Sequence, residues 1–308
     1  MPHRLSPAIL AHLLLLAVVF VWGATFVLVK GALQDVSPLL FNLLRMTLAF
    51  IALAIVNYRQ LQHISRYALC SGLIVGIFLA AGYQFQTAGL ARTTAAKSAF
   101  ITGLVVVFVP LFASVPALRS ANTPPPRWTA AIGAILAFAG LFFLTTPMGT
   151  SWQNLFVSIG SGDLLTLFCA IAFAAHLLSL ARTSHRVTSG QLATLQIGVA
   201  AIIMAITLPV GGRPHLIVTP RLLIALITTS LLATAAAFTI QSWAQQHLPP
   251  THTAILLALE PVFACLTSFL VLHERFGRRS LSGAALILAG IAFTELIPAG
   301  PSIPTYPI

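Results

Sequence analysis

Residues Thr251 to Phe276 read THTAILLALEPVFACLTSFLVLHERF, and this stretch decides how the chain has to be understood. It is an apolar run long enough to cross a bilayer, which takes about 20 residues as a helix. One carboxylate, Glu260, stands near its middle and is followed at once by Pro261. A charge at bilayer depth costs about 2.5 kcal/mol or more. Pro261 has no backbone N–H, so the carbonyl of Leu257 loses its helical partner. A costly charge beside an opened helix ladder asks for a functional explanation, and the rest of the chain supplies its setting.

That setting is hydrocarbon. The 308 residues are 58% hydrophobic and 7% charged, with a mean hydropathy of +0.97. Soluble domains carry about 25% charged residues, so the composition excludes a soluble fold of this size. The formal net charge of +11 does not signal nucleic acid. Only five acids are present, and the sixteen Lys and Arg sit mostly at span ends, where they anchor helices and set topology. Cys70, Cys169 and Cys265 lie singly inside apolar runs, as small buried hydrophobes and neither disulfides nor metal ligands. The N-terminal apolar run exceeds a signal peptide's core and reads as an uncleaved first span.

The apolar runs predict an all-α polytopic membrane protein of ten transmembrane helices, near 9–29, 38–57, 67–89, 96–118, 127–145, 161–181, 190–210, 220–245, 252–272 and 279–298. Punctuation between them includes Ser37-Pro38, Pro124-Pro125-Pro126, Gly211-Gly212-Arg213-Pro214 and Pro249-Pro250. The tail 299–308 reads as disordered. Connections are short, leaving no room for a soluble catalytic domain. No HExxH, G-x-S-x-G or nucleotide-binding P-loop occurs, and no enzyme, metal or cofactor is expected.

The chain also repeats itself. At an offset of 150, Gly133 to Gly140 lies on Gly283 to Gly290, and Phe143 lies on Phe293. At an offset of 155, Ala80 to Thr87 lies on Ala235 to Ser242. Five helices per unit is odd, so a tandem copy enters the membrane the other way up. The expectation is two inverted five-helix repeats, 9–146 and 160–298, an architecture that places a carrier's site near midplane between the repeats. The positive-inside rule divides the halves. Arg4, Arg59, Arg66, Arg119 and Arg127 favour both termini in the cytoplasm, whereas Arg213, Arg221, Arg275, Arg278 and Arg279 argue the other way. The first helices usually dominate, so both termini are placed inside.

Trp22 through Lys30, Ser37-Pro38 with Arg45, Ser98 through Thr102, Gly162-Asp163, Ala258 through Phe263, Glu274-Arg275 and Gly283 through Gly290 together resemble the EamA family of the drug/metabolite transporter superfamily. The likeness covers nearly the whole chain as two EamA units. It implies a secondary carrier of the bacterial inner membrane that moves amino acids or related metabolites, often outward. In this chain Val106 stands at the position matching Pro261, and Pro110 comes one turn later. Bends at Pro110 and Pro261 would therefore fall at different depths in the two halves.

Candidates for the transport chemistry are Trp22, Arg45, Tyr83, Gln86, His176, Phe238, Gln241 and Glu260. Glu260 is read functionally as a proton carrier or ligand for a cationic group. Structurally it reads as one half of a permanent ion pair with Arg45, the only Arg deep within a span, or as a carboxylate reaching a freed backbone group beside Pro261. Arg45 suits a substrate carboxylate, or snorkels toward the surface. Trp22 is a belt residue or a cavity wall, and Gly23 beside it permits close approach of substrate or helix. Tyr83 and Gln86 share a face, as do Phe238, Gln241 and Gln245 in the matching span. They suit either a cavity that stacks and hydrogen-bonds a polar molecule or ordinary interhelical bonding. His176 is a packing residue or a proton relay. Lys30 and Lys97 read as interfacial anchors, His247 and His252 as water-facing, and Asp163 as a helix cap. Gly72-x-x-x-Gly76 and the Gly/Ala stripes read as packing within the monomer first and a homodimer interface second. The expected partners are a small-molecule substrate, lipid and a proton as coupling ion. A channel or membrane scaffold without carrier activity is the alternative.

Overall fold

The computed structural model describes residues 6–90, 92, 101–119, 125–145, 160–272 and 277–296. Lys97, Glu274 and the tail 299–308 lie outside the described residues, as do the side chains of Lys30 and Glu295. The described chain is helical, without a named strand. In order come α1 (Pro7–Ala32), α2 (Pro38–Val56), a single turn at Tyr58–Leu61, α3 (Arg66–Leu90), α4 (Val105–Ser114), α5 (Trp128–Thr145), α6 (Ser161–Ser184), α7 (Ser189–Thr207), α8 (Pro220–Ala244), α9 (Pro250–Leu257), α10 (Glu260–Leu272) and α11 (Arg278–Leu296). Among the described residues six helices are long and apolar enough to cross a membrane, namely most of α1, and α2, α3, α6, α7 and α8.

The surface is apolar as well as the interior. Ile55, Ile135, Ile202, Ile206 and Leu270 stand exposed on the outward faces, while the core combines alanines with large side chains such as Leu15, Met46, Leu79 and Ile197. Hydroxyl groups within the spans donate to the carbonyl four residues back, as Thr25, Thr166, Thr194, Thr229 and Ser242 do at 2.6–2.8 Å. Such back-bonding lets a polar residue sit in a span without leaving a donor unpaired.

The dominant neighbours join one half of the chain to the other. The third helix, α3, is wedged between α6 and α7, while α8 lies against α1 and α2; α4 meets α6, and α10 meets α1. Glycines set the separations. Gly72 faces Leu195, and a Cβ on Gly76 would lie 2.7 Å from the Gln196 carbonyl. The Gly72/Gly76 pair thus packs inside the monomer. Helices α5 and α11 run antiparallel with glycine against glycine: a Cβ on Gly140 would lie 2.6 Å from the Gly283 carbonyl, and one on Gly290 would lie 2.7 Å from that of Gly133. Approach this close between helices is the known use of small residues in membranes.

Two expected spans are not continuous. The stretch expected at 252–272 is divided into α9 and α10 by a turn at Ala258–Leu259. In the stretch expected at 96–118, residues 101–102 are helical and a turn at Gly103–Leu104 precedes α4. These interruptions are 155 residues apart, so the expectation of bends at different depths is corrected. Pro110 sits inside α4 and does not mark its break. A third irregularity had no sequence signal: within α8, Leu231–Ala236 forms a π-helical segment.

At one end of the bundle, the α1–α2 and α7–α8 connections are clamped together. Asp35 accepts from Arg221 Nε at 3.0 Å and Nη2 at 2.7 Å, and from the Thr219 hydroxyl at 2.6 Å. Val36 bridges Leu216, with Ser37 N–H donating to the His215 carbonyl at 3.1 Å and Ile217 N–H to that of Asp35 at 2.7 Å. At the opposite end the joint is neutral: the Thr188 hydroxyl donates to Gln60 Oε1 at 2.7 Å, and Asn57 Nδ2 to Thr194 Oγ1 at 3.3 Å.

Bonds from Arg221 and then Thr219 hold the Asp35 carboxyl below its ordinary value of 3.8. A carboxyl depressed in the native state adds stability above its ordinary value and loses it as pH falls through the native value. Asp35→Asn should therefore lower the unfolding temperature of the purified protein at pH 7. That deficit should close only below about pH 3.8, and thermal melts across pH 7 to 3 measure it. Gly140→Val should cost about 1–3 kcal/mol by overpacking, whereas Gly277→Ala, with nothing within 4 Å of the added carbon, should be near neutral.

Candidate functional site

The π-helical segment of α8 organises the polar interior. A π turn closes its hydrogen bonds one residue further along than an α turn, and such turns concentrate at functional positions. Here the Ala233 carbonyl accepts from two outside donors, Trp22 Nε1 at 2.7 Å and Arg45 Nη2 at 3.0 Å. The next residue, Thr234, accepts from Arg45 Nε at 2.6 Å and donates back to the Thr229 carbonyl at 2.8 Å. Arg45 also donates to the Tyr83 hydroxyl at 3.2 Å and lies 5.2 Å from that ring's centroid. The guanidinium ties α2, α3 and α8 together, and α1 joins them through the Trp22 indole on the shared Ala233 carbonyl. Arg45 is buried, so the snorkelling alternative is corrected.

The side chains of Arg45 and Glu260 do not form an ion pair. The guanidinium directs its bonds to α8 and Tyr83, and the permanent pair weighed for Glu260 is not made. Among the described residues Glu260 has no hydrogen-bond partner. It opens α10 directly after the break, where a carboxylate complements the partial positive charge of a helix N-terminus. Gly23 explains how α1 tolerates this turn. A Cβ there would lie 2.8 Å from the Glu260 carbonyl and 2.8 Å from Ala264 N. The close neighbour of Gly23 is thus a helix.

Aromatic rings connect these groups to the second half. Trp22 meets Phe238 at 5.7 Å between centroids, Phe238 meets His176 at 5.8 Å, and Tyr83 meets Phe173 at 5.6 Å. His176 is fully buried and is held by a polar chain. Its Nε2 lies 2.8 Å from Gln196 Oε1, Gln196 Nε2 donates to Ser242 Oγ at 3.1 Å, and Ser242 donates to the Phe238 carbonyl at 2.6 Å. With its amide committed to Ser242, Gln196 offers an acceptor, so His176 donates through Nε2. Gln241 is buried on the same face as Phe238, and Gln245 follows it.

Seven of the eight predicted residues thus border one continuous region or share a helix face with it. Gln86 is half-buried on α3 and makes no hydrogen bond among the described residues. Thr234, Gln196, Ser242 and the Ala233 carbonyl were missed by sequence reading. The repeat alignment ran through Ala235 to Ser242 and began one residue after Thr234. Asp163 accepts from Gly160 N–H at 2.9 Å, the geometry of a cap. His247, expected to face water, is half-buried against Trp243 at 4.6 Å.

The model of the EamA-like transporter family matches residues 9–146 and 160–296. An uncharacterized transporter of Archaeoglobus fulgidus is 32% identical over 286 residues, spanning 93% of this chain and 86% of its own. The uncharacterized transporter YoaV of Bacillus subtilis is 25% identical over 282 residues, with 90% and 94% covered. A WAT1-related chloroplastic protein of Arabidopsis thaliana is 27% identical over 289 residues, covering 88% of this chain and 66% of that one. A crystal structure superposes with a TM-score of 0.76 over 93% of this chain and 97% of the other, at 18% identity, which shows a shared fold. The family and its microbial members are named as transporters, not as enzymes.

The bonding pattern separates two substitutions. Trp22→Phe keeps the ring and leaves the Ala233 carbonyl with Arg45, so its cost should stay near 1 kcal/mol. Arg45→Met removes bonds to three groups at once. Ala233 keeps the indole, but Thr234 Oγ1 and the Tyr83 hydroxyl lose their donor, so its cost should reach about 3 kcal/mol. Denaturation of the two purified variants in one detergent checks the ranking.

Proposed function

Because the chain belongs to the EamA-like transporter family, we propose that it is a secondary carrier that exports small polar metabolites, amino acids among them, by alternating access. It is a multi-pass membrane protein. In this proposal the interrupted stretches and the paired helices α5 and α11 complete ten spans, arranged as two inverted five-helix repeats, 9–146 and 160–298, in the cytoplasmic membrane with both termini inside. Exchange of the halves supports the repeat: α3 against α6 and α7 corresponds to α8 against α1 and α2. The matched breaks at Gly103–Leu104 and Ala258–Leu259 support it too. Trp22, Arg45, Tyr83, Gln86, His176, Phe238, Gln241 and Glu260 form the binding set.

One observation carries the carrier reading. A carboxylate, Glu260, stands at an interrupted helix in the middle of a span and is not bonded to the buried guanidinium of Arg45. A structural ion pair would close that gap, and a closed pair would have little to offer a passing substrate or proton. The open arrangement leaves Glu260 available to bind a cationic group or a proton and release it on the other side. The proton is the proposed coupling ion.

Proteoliposomes loaded with labelled amino acids and other metabolites should show saturable flux and counterflow that respond to a pH gradient. Absence of flux across a broad panel overturns the carrier reading. Glu260→Gln should reduce the rate roughly tenfold or more and abolish the response to the gradient. Unchanged rate and unchanged pH response would make Glu260 structural.

A further inference from the structure

Gln241 and Gln245 stand four residues apart at the end of α8, on the face that carries Phe238. They are 2% and 1% exposed. Among the described residues the Oε1 atom of Gln241 and both amide atoms of Gln245 have no hydrogen-bond partner. Their neighbours along the chain, Ala244 and Leu248, belong to an apolar cluster with Ala11, Leu15 and Leu256. A second apolar cluster of Val109, Ala113, Ala174, Leu177, Leu178 and Ala254 joins α4, α6 and α9.

On the same helix the Ser230 hydroxyl is also buried without a partner among the described residues. Between the two glutamines, Ser242 completes the chain from His176 through Gln196 with every step bonded. Elsewhere in the polar region Trp22, Tyr83 and Glu260 are half-buried, whereas three amide atoms of Gln241 and Gln245 are buried without a partner among the described residues. Native interiors rarely leave such groups unpaired, and each instance needs a reason.

We propose that Gln241 and Gln245 line a second vestibule that is shut in this structure, and that their unpaired amides favour its opening. This rests on the carrier reading, in which each end is shut while the other is reached. In the open state water, or an uncharged hydroxyl or amide group of the substrate, pairs with the two carboxamides. Apolar burial around Leu15, Leu177 and Leu256 pulls toward the shut state, and amide solvation pulls toward the open one. Opposed terms of this kind keep a two-state element within reach of both states. The carboxamides bear no charge, so they also pass a substrate onward without holding it as an ion pair would.

Gln241→Met and Gln245→Met keep the approximate volume and remove the unpaired groups. In the full chain in nanodiscs, amide hydrogen exchange over residues 237–257 should slow by about fivefold or more in the double variant. Exchange in α11 should stay unchanged, and the unfolding temperature should rise. Gln245→Glu should speed exchange in the same segment. Unchanged or faster exchange in the methionine variant, or a fall in its unfolding temperature, overturns the proposal. Exchange and melting need no substrate, so they judge the glutamines separately from the carrier reading, which fails only on the absence of wild-type flux. If wild-type flux is present, the methionine variant should slow it.

Discussion

Hydrocarbon offers a backbone carbonyl nothing to bond with, so any irregular turn inside a span must be answered by the protein itself. The Ala233 carbonyl shows how this chain meets that constraint. The π segment turns it outward, and the indole of α1 and the guanidinium of α2 both donate to it. A local defect in one helix thereby becomes the junction of three. Tyr83 adds the fourth helix through its hydroxyl. Arg45 in turn gains the hydrogen bonds that a buried cation requires, without a carboxylate. The charge is solvated by oxygen dipoles of the protein, and Glu260 is left out of the bargain.

That exclusion separates Arg45 from Glu260, and the separation has a structural cause. Gly23 lets α1 lie directly on the first turn of α10, which fixes Glu260 at the helix start. Trp22, the neighbouring residue, points instead to α8 and helps hold Arg45's acceptor there. Adjacent residues of α1 thus position the two opposite charges on different partners. A buried pair in contact is strongly bound to itself. Two charges held by separate partners retain their attraction for something placed between them.

Much of this was legible in the sequence, and what was not has definite reasons. Composition and run length gave an all-helical membrane chain, because hydropathy over 20 residues is a strong signal. The glycine stripes at 133–140 and 283–290 pointed to close packing, although not to each other as partners. Glu260-Pro261 marked an irregular turn at nearly the right place. In the first half the same logic failed: proline was used as the marker, and the break came at Gly103–Leu104, where no proline stands. A turn held by packing between helices leaves no local residue signature. The π segment failed for the same reason, since Leu231 to Ala236 is an unremarkable helical sequence and the donors that answer it stand more than 180 residues away.

The site was legible in its side chains and illegible in its connections. Trp22, Tyr83, His176, Phe238 and Gln241 stood out as polar or aromatic groups in apolar surroundings, and rings and hydrogen bonds link most of them. Sequence reasoning paired Arg45 with Glu260 because they were the two deep charges, and opposite charges in hydrocarbon are expected to meet. The expectation neglected the backbone as a competitor. A guanidinium offers five N–H donors in a fixed fork, and a carbonyl turned out of its helix, a hydroxyl and a phenol together satisfy more of them than one carboxylate can. Once such acceptors are assembled on α8, closing the ion pair would strand them. The backbone irregularity therefore comes first in the physical order, and the unpaired carboxylate is its consequence.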